Sequence, residues 1–168
     1  MIYYNIIDNK KVFFESDIIF ASYEATLANE IEQDEYFLEK AKKLKLAELD
    51  IFHDSEEVKY LTIKIGKLQT GIFVNSYYRY IIDEQRILLA IRKENGEANP
   101  TWLYQNGITL PLDLKTLDQV RLYIGKLTDD NFRAKAKNIR AINNFKTIEE
   151  LEKFDIKTNY RLNQILTF

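Results

Sequence analysis

The chain contains no cysteine, which excludes disulfides, thiol nucleophiles and thiolate metal sites. It contains one histidine, His53, so any catalytic base or nitrogen ligand of that type has to be this residue. Glycine numbers five and proline two, which leaves little material for phosphate-binding loops. Gly66-Lys67 and Gly125-Lys126 are Gly-Lys pairs, but neither has a glycine five residues earlier, and no Gly-x-Gly-x-x-Gly occurs. No Gly-x-Ser-x-Gly is present, so a serine triad is not expected. Apolar runs are short, of the size of Ile18-Ile19-Phe20-Ala21, where a membrane span needs about 20 apolar residues. The opening Met1-Ile-Tyr-Tyr-Asn lacks a basic stretch followed by such a run, so a cleaved leader is not expected either. No sign of charge dominates. Lys and Arg total 24, Asp and Glu total 26, and a net charge of −2 does not fit a protein that coats nucleic acid by neutralising phosphates.

What is present is an ordinary globular balance: 46% apolar and 30% charged residues over 168 positions. That is one domain, or one with a small appendage, and the expected class is α+β. A boundary is expected near Asp54-Ser55-Glu56-Glu57, giving a front part of 1–57 and a back part of 58–168 that also reads as a single unit. In the front part, Ile2 to Ile6 and Lys11 to Phe14 read as a hairpin around Asp8-Asn9-Lys10. Ile18 to Ala21 is a candidate third strand, and Ser22 to Asn29 reads as a loop or a helical turn. Asp34 to Phe52 is helical, with Tyr36, Lys40, Ala41, Leu44, Ala47 and Ile51 spaced by threes and fours, lysines on the other faces, and Asp34 and Glu35 in the first turn.

In the back part, Val58 to Ile65 alternates as a half-buried strand, Gly66 to Thr70 turns, and Gly71 to Val74 returns. A helix follows to about Lys93, carrying Tyr77, Tyr80, Ile81, Leu88 and Ile91, widened by Ile82 and Leu89, and stopped by Asn95-Gly96. Asn106-Gly107 predicts a two-residue hairpin with Leu103 opposite Leu110 and Trp102 opposite Pro111. Thr116 then caps the longest helix, about 117–142. Its expected core stripe is Leu117, Val120, Ile124, Leu127, Phe132, Ala136, Ile139 and Ile142, and Gly125 or Thr128-Asp129-Asp130 is the expected site of any bend. Thr147-Ile148-Glu149-Glu150 is a capping box for a short helix to Phe154. Asp155 to Phe168 is expected to be irregular.

The charge distribution says more than any motif. Between Glu24 and Glu57 lie 11 acids and 4 lysines, a net of −7. A docking surface for a basic partner would draw on Glu30, Glu32, Asp34, Glu35 and Glu39. Arg133, Lys135, Lys137, Arg140 and Lys146 form a basic stretch, more simply read as a solvated helix face than as a nucleic-acid contact. Tyr78, Trp102 and Tyr104 are candidate interface aromatics, because such rings supply contact area at low entropic cost. His53 with Asp54 or Glu57 is the residual case for metal binding or catalysis. Its ordinary reading is a solvated helix end, and no EF-hand or His-Glu-x-x-His spacing supports more.

Several stretches together resemble a domain of unknown function found in phage tail and tail-fibre assembly proteins. They are Val58 to Val74; Thr101 to Gly107 with Leu110-Pro111-Leu112; and Arg133, Lys137, Ile139 and Ala141-Ile142 with Thr147 to Leu151. The front part, through Ile31 to Tyr36, is similar to phage tail accessory proteins, and the likeness spans roughly residues 31–154. One departure is Asn75-Ser76, where the family commonly has an acidic position. The resemblance implies phage or prophage origin, no catalytic residues, no cofactor and no metal, and a role in contacting protein, with homo-oligomerisation compatible. A bacterial cytoplasmic or virion-associated setting goes with it. The alternative expectation is an inhibitor of a host defence nuclease, of the anti-CRISPR kind, docking through the acidic segment. Neither reading expects a membrane partner, or nucleic acid as a direct ligand.

Overall fold

The computed structural model describes residues 1–16, 25–74, 76–97, 102–103, 109–110 and 114–168, with the backbone alone for 70, 73, 76–82, 102, 103, 109 and 110. The fold is α+β. In chain order the elements are β1 (Ile2–Ile7), β2 (Lys10–Glu15), β3 (Thr26–Leu27), α1 (Glu30–His53), α2 (Glu56–Lys59), β4 (Tyr60–Ile65), β5 (Leu68–Phe73), α3 (Ser76–Glu94), β6 (Trp102–Leu103), β7 (Thr109–Leu110), α4 (Leu114–Asn144), α5 (Ile148–Lys153) and β8 (Gln164–Thr167). The chain forms two compact units, each built from two segments: Met1–Ala47 with Arg140–Phe154, and Glu48–Ile139 with Asp155–Phe168.

In the first unit, β1 pairs antiparallel with β2, Ile7 opposite Lys10, so the connection is the two residues Asp8 and Asn9. Both have positive φ, 52° and 61°, the geometry of a type I′ turn, which Asp and Asn tolerate better than other side chains. β3 adds to the other edge of β1, giving the order β2-β1-β3. Ile2, Tyr3, Ala28, Ile142 and Leu151 are buried in this unit. Helix α1 starts at Glu30, four residues before the expected start. The reason is a capping box that the sequence also spells: Asn29 Oδ1 accepts from the Glu32 amide at 3.0 Å, and Glu32 Oε2 accepts from the Asn29 amide at 3.1 Å. Glu30 and Glu32, not Asp34 and Glu35, therefore occupy its first turn.

Helix α1 also turns a different face inward. Lys42, Leu49, Phe52 and His53 are buried, whereas Leu44 and Ile51, on the opposite side, are 66% and 75% exposed. Regular spacing finds a stripe, but this helix carries apolar residues on two sides. The capping box of α5 is present as expected, with Glu150 N donating to Thr147 Oγ1 and Thr147 N donating to Glu150 Oε2, both at 3.2 Å.

In the second unit, β4 pairs antiparallel with β5, Ile65 opposite Leu68, so the turn is only Gly66-Lys67 and β5 begins at Leu68. Val58 belongs to the one-turn helix α2, and the strand starts at Tyr60. Residues 155–168 are not all irregular: β8 lies parallel to β4 and completes a sheet in the order β5-β4-β8. A four-residue edge strand, Gln-Ile-Leu-Thr, is too short to announce itself by alternation. Leu61, Ile63 and Ile72 of the sheet pack with Leu89 of α3 and with Leu117, Val120, Ile124 and Leu127 of α4. Each fully buried aliphatic side chain there contributes about 1.5–3 kcal/mol.

Helix α3 ends in a Schellman arrangement. Glu97 N donates to Arg92 O at 2.9 Å, Gly96 N donates to Lys93 O at 3.1 Å, and Gly96 has φ +81°, which favours glycine. Leu89 is buried, while Leu88 and Ile91 of the expected stripe are 48% and 47% exposed, and the side chains of Tyr77, Tyr80, Ile81 and Ile82 lie outside what is described. Asp83 pairs with Arg121 and Arg86 with Asp118, a reversed order that sets α3 and α4 antiparallel.

Helix α4 is continuous from Leu114 to Asn144, and Thr116 lies inside it instead of capping it. Trp102 pairs with Leu110 and Leu103 with Thr109, one residue out of the expected register. Residues 104–108 and Pro111 themselves lie outside the described residues, as do Ile18 to Ala21.

The stripe of α4 is the main difference from expectation. Phe132 is 58% exposed and Ala136 is exposed, while Asn131 and Asn138 are 3% and 1% exposed. The buried positions run 117, 120, 124, 127, 131, 134, 138 and 142, spaced throughout by threes and fours with two asparagines among them. Within the second unit these amides bind backbone. Asn131 Nδ2 donates to Val58 O at 3.2 Å, and Asn131 Oδ1 accepts from the Arg161 amide at 3.0 Å. Asn138 Nδ2 donates to Ile156 O at 2.8 Å and Thr158 O at 3.0 Å.

Candidate functional site

Two places gather chemistry, one in each unit. In the first unit a groove of about 350 Å³ is lined by Ile31, Asp34, Glu35 and Leu38 of α1 and by Lys146, Thr147 and Ile148 at the start of α5. Ile31 is 71% and Ile148 39% exposed, so the groove presents apolar side chains to solvent. The Thr147 capping box fixes the chain at one wall, and helix α1 forms the other. Asp34 and Glu35 are both exposed on α1.

The acidic candidates divide by what holds them. Glu32 caps α1 and pairs with Lys11, and these bonds lower its pKa, the Lys11 contact first. Glu39 pairs with the buried Lys42 at 3.0 Å. Glu30 is exposed in the first turn. Glu32 and Glu39 thus serve the fold, and Asp34 and Glu35 line the groove. Elsewhere in the acidic segment, Asp50 pairs with Lys135 at 2.7 Å and Glu57 with Lys157 at 2.8 Å, so lysines from outside the segment offset part of its charge. The side chains of Tyr78 and Trp102, and the whole of Tyr104, lie outside what the structure describes. In the basic stretch, Lys135 is used by Asp50, while Arg133, Lys137 and Arg140 are exposed.

In the second unit a cleft of about 460 Å³ lies beside His53. This residue is not at a solvated helix end, for it is only 7% exposed. Its Nδ1 lies 3.2 Å from the Tyr160 hydroxyl, and its ring is 5.0 Å from that of Phe132. The C-terminal segment that brings Tyr160 here is held by Asn131 and Asn138, which is why local sequence around His53 does not reveal its burial. Burial lowers the His53 pKa and the Lys135 ammonium adds to this, so the imidazole is neutral at pH 7. Burial, with the nearby carboxylates of Asp50 and Asp54, pushes the Tyr160 hydroxyl up to about 12. Asp54 pairs with Lys59, which lowers its own pKa.

Among the described residues, no three His, Asp or Glu side chains are placed to hold a metal ion. No helix among them is long and apolar enough to cross a membrane. No known protein family, curated protein or solved structure matches the chain.

Proposed function

We propose that the chain is a non-catalytic protein-binding module and that the groove between α1 and the start of α5 is its contact surface. The observation that carries this reading is the combination in one place of exposed Ile31 and Ile148 with the exposed carboxylates of Asp34 and Glu35. An apolar floor flanked by Asp34 and Glu35 on α1 and by Lys146 at the start of α5 suits a segment that carries an aliphatic or aromatic anchor and turns a basic group toward α1. Burial of the anchor supplies affinity, and the carboxylates steer encounter and select against acidic competitors. The resemblance to phage tail and tail-fibre assembly proteins supplies the setting: the partner is another tail component of the same phage.

A second setting, an inhibitor of a host defence nuclease, is favoured by the Asp34 and Glu35 carboxylates, because nucleic-acid channels are basic. The two are separated by affinity capture of the tagged chain from its native host with the prophage induced, read by mass spectrometry. Recovery of tail-fibre or baseplate proteins supports the first. Recovery of a nuclease complex supports the second. Recovery of neither removes the basis of the protein-binding reading.

A further inference from the structure

The cleft beside His53 belongs to the second unit and takes no part in the reading above. Its walls divide by chemistry. Val58, Val74, Leu127 and the Phe132 ring form an apolar side. Lys59, at the end of α2, and Lys135, on α4, bring two ammonium groups to the same cleft from different elements. Each has a carboxylate partner, and in both pairs the carboxylate is the outer member: Lys135 and Asp50 side chains are 23% and 63% exposed, and Lys59 and Asp54 30% and 69%. Surface carboxylates on such pairs are weakly held, because water competes for both charges. Asp54 itself lines the cleft, so an anionic group entering it competes with the Asp54 and Asp50 carboxylates for these two ammonium groups.

Beside the two lysines sits His53. Tyr160 occupies its Nδ1, which leaves Nε2 as the remaining polar atom of a ring that lines the cleft. Phe132 stands 58% exposed with its ring 5.0 Å from the imidazole, an arrangement that offers a second planar group a face to pack on. Asn131, also in the lining, has its amide committed to backbone, so it supports the wall instead of reading a ligand. The volume lies within the range of small-ligand sites, roughly 300–1,000 Å³.

We propose that this cleft binds a small organic anion with a ring-sized apolar body, its phosphate or carboxylate meeting Lys59 and Lys135 and its ring packing on Phe132 beside His53. The ligand is taken up intact, and no bond is made or broken. The full chain is titrated with phenyl phosphate and benzoate, and with benzyl alcohol as the uncharged control. Binding is followed by NMR through the His53 ring resonances, unique in a chain with one histidine. The expected result is a saturable shift of the His53 ring with at least one anion and a much weaker response to benzyl alcohol. Lys135→Gln weakens binding about tenfold, as expected for loss of one charge-assisted contact. Phe132→Ala, at a position 58% exposed, weakens the anion and the alcohol alike. An equal response to benzyl alcohol overturns the proposal. So does the absence of saturation with either anion up to about 10 mM, where fragment-sized ligands of ordinary efficiency register. A shift unaffected by both substitutions, with their folds verified by amide spectra, overturns it as well.

Discussion

Asn138 holds two backbone carbonyls of the C-terminal segment while 1% exposed, and in the sequence it interrupts an apolar stripe. Replacing it by Ala leaves the buried Ile156 carbonyl and the part-buried Thr158 carbonyl without their donor, and a buried acceptor left so costs about 1–3 kcal/mol. Asn138→Ala is therefore expected to lower unfolding free energy by about 2–4 kcal/mol in urea titration. The exposed neighbour Lys137→Ala should change it by less than about 0.5 kcal/mol. His53 yields a pH prediction. Its folded pKa lies below the ordinary 6.5, so the unfolded chain binds the proton more readily. This contribution is complete above pH 6.5 and is lost as the pH falls toward the folded value, with a slope of up to about 1.4 kcal/mol per pH unit. The charged groups around the ring are Asp50, Asp54, Lys59 and Lys135, with the Tyr160 hydroxyl bonded to it. His53→Gln should flatten the stability profile below about pH 6.5, as measured by denaturation at successively lower pH. At this scale the sequence was least readable. Asn131, Asn138 and His53 are polar residues buried by partners distant in the chain, and nothing in their local sequence announces those partners.

At the scale of elements the sequence reads better, because caps and turns are local chemistry. Thr147-x-x-Glu150 and Asn95-Gly96 act as their residue types predict. Asn29-x-x-Glu32 is the same kind of signal and marks the true start of α1. Thr147→Ala and Asn29→Ala are each expected to cost about 1 kcal/mol by thermal or urea unfolding, since each removes a side-chain acceptor from the first turn. Faces are harder to read than ends. Helix α1 carries apolar residues on two sides, and periodicity alone chose the side with Leu44 and Ile51, which faces water. In α4 the periodicity was complete only once asparagine was admitted at positions 131 and 138. The parallel strand β8 needed its partner β4, about a hundred residues earlier in the chain, to be recognised at all.

At the scale of the whole molecule, the α+β class follows from the mixture of alternating and helical patterns, and the structure has it. The two-unit division does not follow from composition, because each unit is assembled from two separated segments and two of the three changes of unit fall inside continuous helices, α1 and α4. The acidic segment looked like one surface in the sequence. In the structure Glu32, Glu39, Asp50, Asp54 and Glu57 are each paired with a lysine. The groove carboxylates Asp34 and Glu35 are exposed beside apolar side chains, so they are the part suited to a partner.

The most direct test of the docking account compares wild-type chain with the Asp34→Lys/Glu35→Lys double variant in binding to the captured partner, by calorimetry at low and high salt. Both positions are exposed, so the variant is expected to unfold at nearly the same urea concentration as the wild type. Its affinity should fall at least about tenfold at low salt, and the difference should shrink as salt screens these charges. A folded double variant that binds as tightly as the wild type at both salt concentrations would contradict the account.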